Sequence, residues 1–130
     1  MGEHPNAALH RSGHDAFLRG DMSFLSGLLA DDTVWHWPGK SRISGVLKGK
    51  EAVFEAFERV NELTEGNFRF EDLDFLASDE RTVALSRVSA TRGGETLEYD
   101  MCEMVRWRDG QIVEEWVFFE DQYAVDEFWS

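Results

Sequence analysis

Glu103 is the first candidate for a chemical role in this sequence. It lies in the segment 96–108, whose side chains alternate between two faces, as they do in a strand. One face carries Leu97, Tyr99, Met101, Glu103, Val105 and Trp107. A carboxylate on such an apolar face is paired, has a raised pKa, or lines a cavity. Two interpretations stay open: a core glutamate bonded to an arginine or a Trp N–H, and an acid that faces a ligand.

The register of the strand that pairs with Glu103 is open. The Asp-Gly pair at 109–110 predicts a hairpin turn. A two-residue turn places Trp116 opposite Glu103. A three-residue loop that begins at Arg108 and contains a bulge places Glu115 there instead. Two carboxylates would then lie side by side, and one of them would tend to stay protonated.

Trp35 and Trp37 point to the same side of a short predicted strand, 33–37. They predict either an aromatic wall for a flat apolar ligand or ordinary core packing. His36 points the other way, toward solvent or a second subunit. The further candidates for ligand contact, on the face of Glu103, are Tyr99, Met101 and Trp107.

His10 and His14 are four residues apart, so they share one face of a predicted helix. A metal site would need a third ligand, and no motif supplies one at a suitable spacing. We therefore expect both histidines on the helix surface, with no metal and no cofactor. Cys102 faces away from the core beside acidic Asp100, which disfavours a thiolate nucleophile.

Asp121 follows the last predicted strand. It precedes Gln122, Tyr123 and Ala124, so it is a candidate N-cap for a C-terminal segment. A carboxylate at that end of the sheet is also a candidate general base. The two roles are compatible.

The order of elements predicts an α+β fold with helices on one face of an antiparallel sheet. Helices are predicted from Asn6 to Leu18, from Met22 to Leu29 and from about Lys50 to Leu63. Four later strands are predicted to start near Asn67, Thr82, Glu95 and Gln111. The last strand is apolar on both faces, which predicts a homodimer through the sheet face opposite the helices.

The 130 residues predict a single domain, 1–130, with enough apolar residues (42%) for a core. The net charge of −13 disfavours nucleic acids and anionic membranes. One cysteine rules out an intrachain disulfide, and we expect a cytoplasmic protein. The sequence has no phosphate-binding glycine loop, so it does not indicate a nucleotide cofactor.

Several motifs resemble those of SnoaL-like polyketide cyclases and ketosteroid isomerases, in the nuclear transport factor 2-like superfamily. They are Gly20-Asp21, Ala30-Asp31-Asp32, Trp35-His36-Trp37-Pro38-Gly39, Gly45, Gly49 and Asp109-Gly110. The resemblance implies a cone-shaped curved sheet (a cystatin-like α+β roll), an apolar pocket open at one end, and dimers through the back of the sheet. It does not fix the reaction, because this scaffold supports many.

Carried over by position, the isomerase site is retained at one residue of three. The family's general base falls at Trp37, and its tyrosine falls at Gly13. Its protonated oxyanion donor falls at Glu103, which keeps a carboxyl group. The resemblance therefore does not predict steroid isomerisation.

Taken together, the sequence predicts a protein that binds a small hydrophobic molecule. Its chemistry would be of the isomerase or cyclase type on a carbonyl substrate, with Glu103 as acid or hydrogen-bond donor and Asp121 as base. The alternatives are a non-catalytic binder of the same fold and a dimeric scaffold whose pocket is filled by its own side chains.

Overall fold

The computed structural model describes residues 3–130 and has the expected α+β architecture. The elements are α1 (Pro5–Leu18), α2 (Met22–Leu28), β1 (Leu29–Trp37), β2 (Gly45–Lys48), α3 (Lys50–Leu63), β3 (Arg69–Ala77), β4 (Arg81–Arg92), β5 (Glu95–Arg108), β6 (Gln111–Phe119) and α4 (Gln122–Phe128). The third helix has its predicted bounds. β1 starts four residues earlier than predicted, at Leu29, because it is paired with β6 from that residue.

The six strands form one curved sheet in the order β2-β1-β6-β5-β4-β3. Strands β3 to β6 form the predicted antiparallel meander, and β1 and β2 are also antiparallel. The sheet is mixed, because β1 and β6 run parallel while the other neighbouring strands are antiparallel. α3 carries the chain to the far edge of the sheet, and the meander returns β6 to β1 in the same direction.

The hairpin between β5 and β6 has neither of the two predicted registers. Asp109 and Gly110 both have positive φ, 52° and 75°, so they form a two-residue turn. The pairing then shifts between Arg106 and Trp107, and Glu103 lies opposite Val117. An extra β6 residue at this bulge moves every later side chain to the other face.

Three helices, α1, α3 and α4, pack against the sheet and cover one face and one end of it. α1 packs against β3 and β4, and α3 packs against β1 and β2. α4 follows Asp121 and buries Val125 and Trp129 against β5 and β6. Among residues 3–130, no helix has both the length and the hydropathy needed to cross a bilayer.

Candidate active site

A cavity of about 110 Å³ lies between the helices and the concave face of the sheet. Most of its lining is apolar or aromatic, from α1, α2, β1, α3 and the strands β3, β5 and β6. The aromatic residues of the lining are Phe17, Trp35, Trp37, Phe57, Phe68, Phe70, Tyr99 and Phe119. Besides Tyr99, the ionisable residues of the lining are His10, His14, Glu103 and Glu115. They form what we call the polar end of the cavity.

His14 lies between two carboxylates. Its Nδ1 is 2.7 Å from Oδ1 of Asp72, and its Nε2 is 2.6 Å from Oε1 of Glu103. The second contact is close enough for an ion pair but is not aligned as a hydrogen bond. The same Asp72 oxygen accepts a hydrogen bond from the hydroxyl of Ser86 at 3.0 Å. This network joins α1 to β3, β4 and β5.

The charges of this network outweigh the effect of burial. Burial by itself would lower the pKa of His14, but the charges of Glu103 and Asp72 raise it to about 10. Burial would raise the pKa of Glu103 and of Asp72, but charged His14 lowers both. At neutral pH the three residues are therefore an imidazolium between two carboxylates.

Glu115 is the protonated acid of the site. It is 2% exposed and lies on the same face of the sheet as Glu103. Burial raises the pKa of Glu115 well above its usual range, and the adjacent charge of Glu103 raises it further. The three-residue loop that would have placed the two carboxyls side by side does not form, but the residues still meet diagonally on this face. The acid is Glu115, whereas Glu103 is ionised.

His10 is neutral. It is 3% exposed, and burial lowers its pKa to about 4. Its Nδ1 lies 2.8 Å from Oγ1 of Thr82. Its Nε2 is buried and has no hydrogen-bond partner within the described part of the chain. An unpaired buried polar group costs on the order of 1–3 kcal/mol, so this atom is a candidate for ligand contact.

The prediction that His10 and His14 lie on the helix surface is wrong, because α1 turns this face toward the cavity. The argument that no third residue could join the two histidines in binding a metal also fails. His10, His14 and Glu103 each offer one ligand atom, and these atoms lie within 4.8 Å of one another. A metal ion would have to displace the proton of His14, since a protonated imidazole has no free lone pair.

The other predicted site residues fall into two groups. Trp35, Trp37, Tyr99 and Met101 line the cavity. Trp107 is buried outside the lining, where its indole N–H donates to Thr82 Oγ1 at 2.8 Å. Asp121 is exposed and outside the lining, and its carboxylate accepts from the amide of Ala124 as the N-cap of α4. The positions of Asp121 and Trp107 outside the lining therefore do not support the predicted base role of Asp121 or the predicted ligand contact by Trp107.

Sequence reasoning missed Asp72 and the inward direction of His14, although both had a signal. His10, Gly13, His14 and Phe17 have the i, i+3, i+4, i+7 spacing of a buried helix stripe. All four line the cavity. Asp72 continues the alternation of Phe68 and Phe70 along β3 toward the concave face.

The chain matches the model of the SnoaL-like domain over residues 11–115, so it belongs to that family. An uncharacterized protein of Mycobacterium tuberculosis is 28% identical over 116 residues, which cover 88% of each chain. Among solved structures, Bal32a from a soil-derived mobile gene cassette is 40% identical, with a TM-score of 0.93 and 96% of each chain covered.

Two further structures are similar. A protein of unknown function with a cystatin-like fold from Xanthomonas campestris is 28% identical, with a TM-score of 0.90 and coverage of 96% of this chain and 98% of that one. IdmH from Streptomyces antibioticus, provisionally described as a polyketide cyclase, is 21% identical with a TM-score of 0.76 and 95% of each chain covered. At that identity, the likeness to IdmH shows the fold alone.

Proposed function

We propose that this protein is an enzyme that moves a proton on a small, mostly apolar carbonyl compound, in the manner of isomerases and cyclases. The observation that carries the proposal is the pair of buried carboxyls, one ionised and one protonated, at the polar end of an otherwise apolar cavity. Titratable neighbours held in opposite protonation states are typical of acid–base sites. The fold of IdmH is compatible with such a reaction.

Glu115 carries the proton in this proposal. One oxygen of its carboxyl group donates its proton to the carbonyl oxygen of the substrate, and the other oxygen of the same carboxyl group accepts a C–H proton from the adjacent carbon. With Glu103 ionised beside it, a deprotonated Glu115 is unstable, so it takes up the proton released from carbon. The net change is a keto–enol shift, in which one proton leaves Glu115 and one returns.

The ion pairs of His14 keep Glu103 charged during this exchange. His14 is held by Asp72 on one side, which fixes its position between helix and sheet. The apolar lining excludes water, which strengthens the electrostatic interactions inside the cavity.

The cavity volume limits the substrate. The volume of about 110 Å³ is smaller than the about 150 Å³ of an apolar cavity that binds benzene, so we expect nothing larger than a single small ring or a short chain. We therefore expect a substrate of that size, with Trp37 and Trp35 as the aromatic wall.

Deuterium exchange at carbon tests this function. Cyclopentanone and cyclohexanone are incubated with the protein in D₂O at neutral pH, and loss of the α-proton signal is followed by NMR. We expect exchange above the buffer rate, and a reduction of at least about 100-fold in Glu115→Gln. Glu114→Gln is the matched control, because Glu114 lies next in sequence but is paired with His36 at 2.7 Å outside the cavity.

Equal exchange in the wild type and Glu115→Gln, or no exchange in the wild type, would overturn the proposal. Quenching of tryptophan fluorescence by the same ketones without exchange would favour the second candidate function, a non-catalytic binder. The mostly apolar lining supports that alternative.

A further inference from the structure

We infer that His10 recognises the ligand, presenting an Nε2–H donor to an oxygen acceptor in the cavity, and that Thr82 and Trp107 fix its tautomer. The inference rests on the proposed function in that the same cavity binds the substrate. It adds the group that orients the carbonyl oxygen. His10 is a candidate specificity residue and carries no proton in the proposed reaction.

The tautomer follows from the hydrogen bonds of Thr82. Its hydroxyl oxygen is 2.8 Å from the indole nitrogen of Trp107, which is a donor only. The same oxygen lies 2.8 Å from Nδ1 of His10. Thr82 is 1% exposed, and its hydroxyl hydrogen has no other acceptor among the hydrogen bonds of residues 3–130. The hydroxyl therefore donates to Nδ1, and the ring proton of neutral His10 is on Nε2.

The ring leaves that proton unpaired at a residue of the cavity wall. His10 lines the cavity, and its Nε2 has no protein partner among the described residues. The ring is held by edge contacts with His14, Phe75 and Trp107, at centroid distances of 4.7, 5.4 and 6.3 Å. These contacts limit its rotation, so the donor is preorganised.

This donor selects the chemical class of the ligand. A neutral N–H in an apolar cavity favours a ligand with a carbonyl or ether oxygen over a hydrocarbon of the same shape, because only an acceptor satisfies it. The preference concerns binding and is measurable without turnover.

The tautomer is tested by long-range ¹H–¹⁵N correlation of the imidazole rings at neutral pH, with His10→Gln to assign the signal. We expect a neutral Nε2–H ring in the wild type and in Thr82→Ser, which keeps the hydroxyl. In Thr82→Val we expect a smaller Nε2–H population. A charged ring or an Nδ1–H ring in the wild type would refute the inference, as would a spectrum unchanged by Thr82→Val.

Recognition is tested with two probes of similar shape, cyclohexanone and methylenecyclohexane. His10→Phe keeps the aromatic packing and removes the donor. We expect the ratio of the two dissociation constants to shift about 5–10-fold toward the hydrocarbon in this variant. His36→Phe, outside the cavity, should leave the ratio unchanged. An unchanged ratio in His10→Phe, or no binding of cyclohexanone to the wild type, would overturn the inference.

The two proposals fail separately. Discrimination by His10 without deuterium exchange would leave the recognition role intact and refute catalysis. Deuterium exchange that depends on Glu115, with an unchanged ratio of dissociation constants in His10→Phe, would support catalysis and refute the recognition role of His10.

Discussion

Nε2 of His14 lies 2.6 Å from Oε1 of Glu103, and this ion pair connects the first helix to the middle of the sheet. The two residues are 89 positions apart in the chain, and both line the cavity. The Glu103 side chain is 12% exposed, and it forms part of the cavity wall. The contact keeps both residues charged, and the charge of Glu103 in turn adds to the raised pKa of Glu115.

Removing the carboxyl of Glu103 should destabilise the fold. Glu103→Leu leaves the buried charge of His14 with one partner instead of two, and the loss of one partner of a buried ion pair costs about 3–5 kcal/mol. Chemical denaturation measures the change. Glu98→Leu, on the exposed face of the same strand, serves as the control and should leave the denaturation midpoint in place. Wild-type stability in Glu103→Leu would show that the pair contributes little.

Stability should fall as the pH rises above about 6.5. The pKa of His14 is raised from 6.5 to about 10, so its contribution is complete below 6.5 and is lost as the pH rises through 10. The raised pKa of Glu115 also lowers the stability as the pH rises above 4.5. His10, whose pKa is lowered to about 4, increases the stability as the pH rises from 4 to 6.5. Between pH 4.5 and 6.5 the contributions of Glu115 and His10 offset each other, so we expect maximum stability in that range.

Urea denaturation at pH 6.5, 8 and 9.5 tests this profile. Each proton involved contributes at most about 1.4 kcal/mol per pH unit. His14→Gln removes one titrating group and should flatten the decline. A flat wild-type profile would mean that His14 is not held in its charged form.

Asp121 should matter for stability and not for chemistry. Asp121→Ala removes the N-cap of α4, a change that typically costs about 1 kcal/mol. Asp121→Asn keeps a capping oxygen and should retain most of that stability. Both variants should retain the deuterium exchange of the wild type. Loss of exchange in a folded Asp121→Asn would restore the base role predicted from the sequence.

We propose a homodimer through the convex face of the sheet. Leu85, Cys102 and Phe118 lie side by side on adjacent strands there. Leu85 is 37% exposed and Phe118 is 51% exposed, and an apolar patch of this kind is typical of an interface. Analytical ultracentrifugation should show a dimer for the wild type at micromolar concentration and a monomer for Phe118→Glu. Leu73→Glu, at an exposed site on the edge strand, is the control.

The sequence alone determined the features that depend on local periodicity. Alternation along β5 placed Glu103 on the concave face, and the same rule placed Trp35 and Trp37 together. The bounds of α3 followed from its helical spacing and matched those of the structure. In each case, neighbours within a few residues decide which way a side chain points.

Only the tertiary structure decided the chemistry of these residues. The bulge in β6 turned Glu115 inward, and a bulge leaves no local signal as strong as a turn does. Asp72 and Glu103 both contact His14, although they lie 58 and 89 residues away from it in the sequence. Whether a carboxyl gains or loses its proton depends on the balance between burial and neighbouring charges, and that balance exists only when distant strands and helices are packed together. For that reason the proton lies on Glu115, and Glu103 is its charged neighbour.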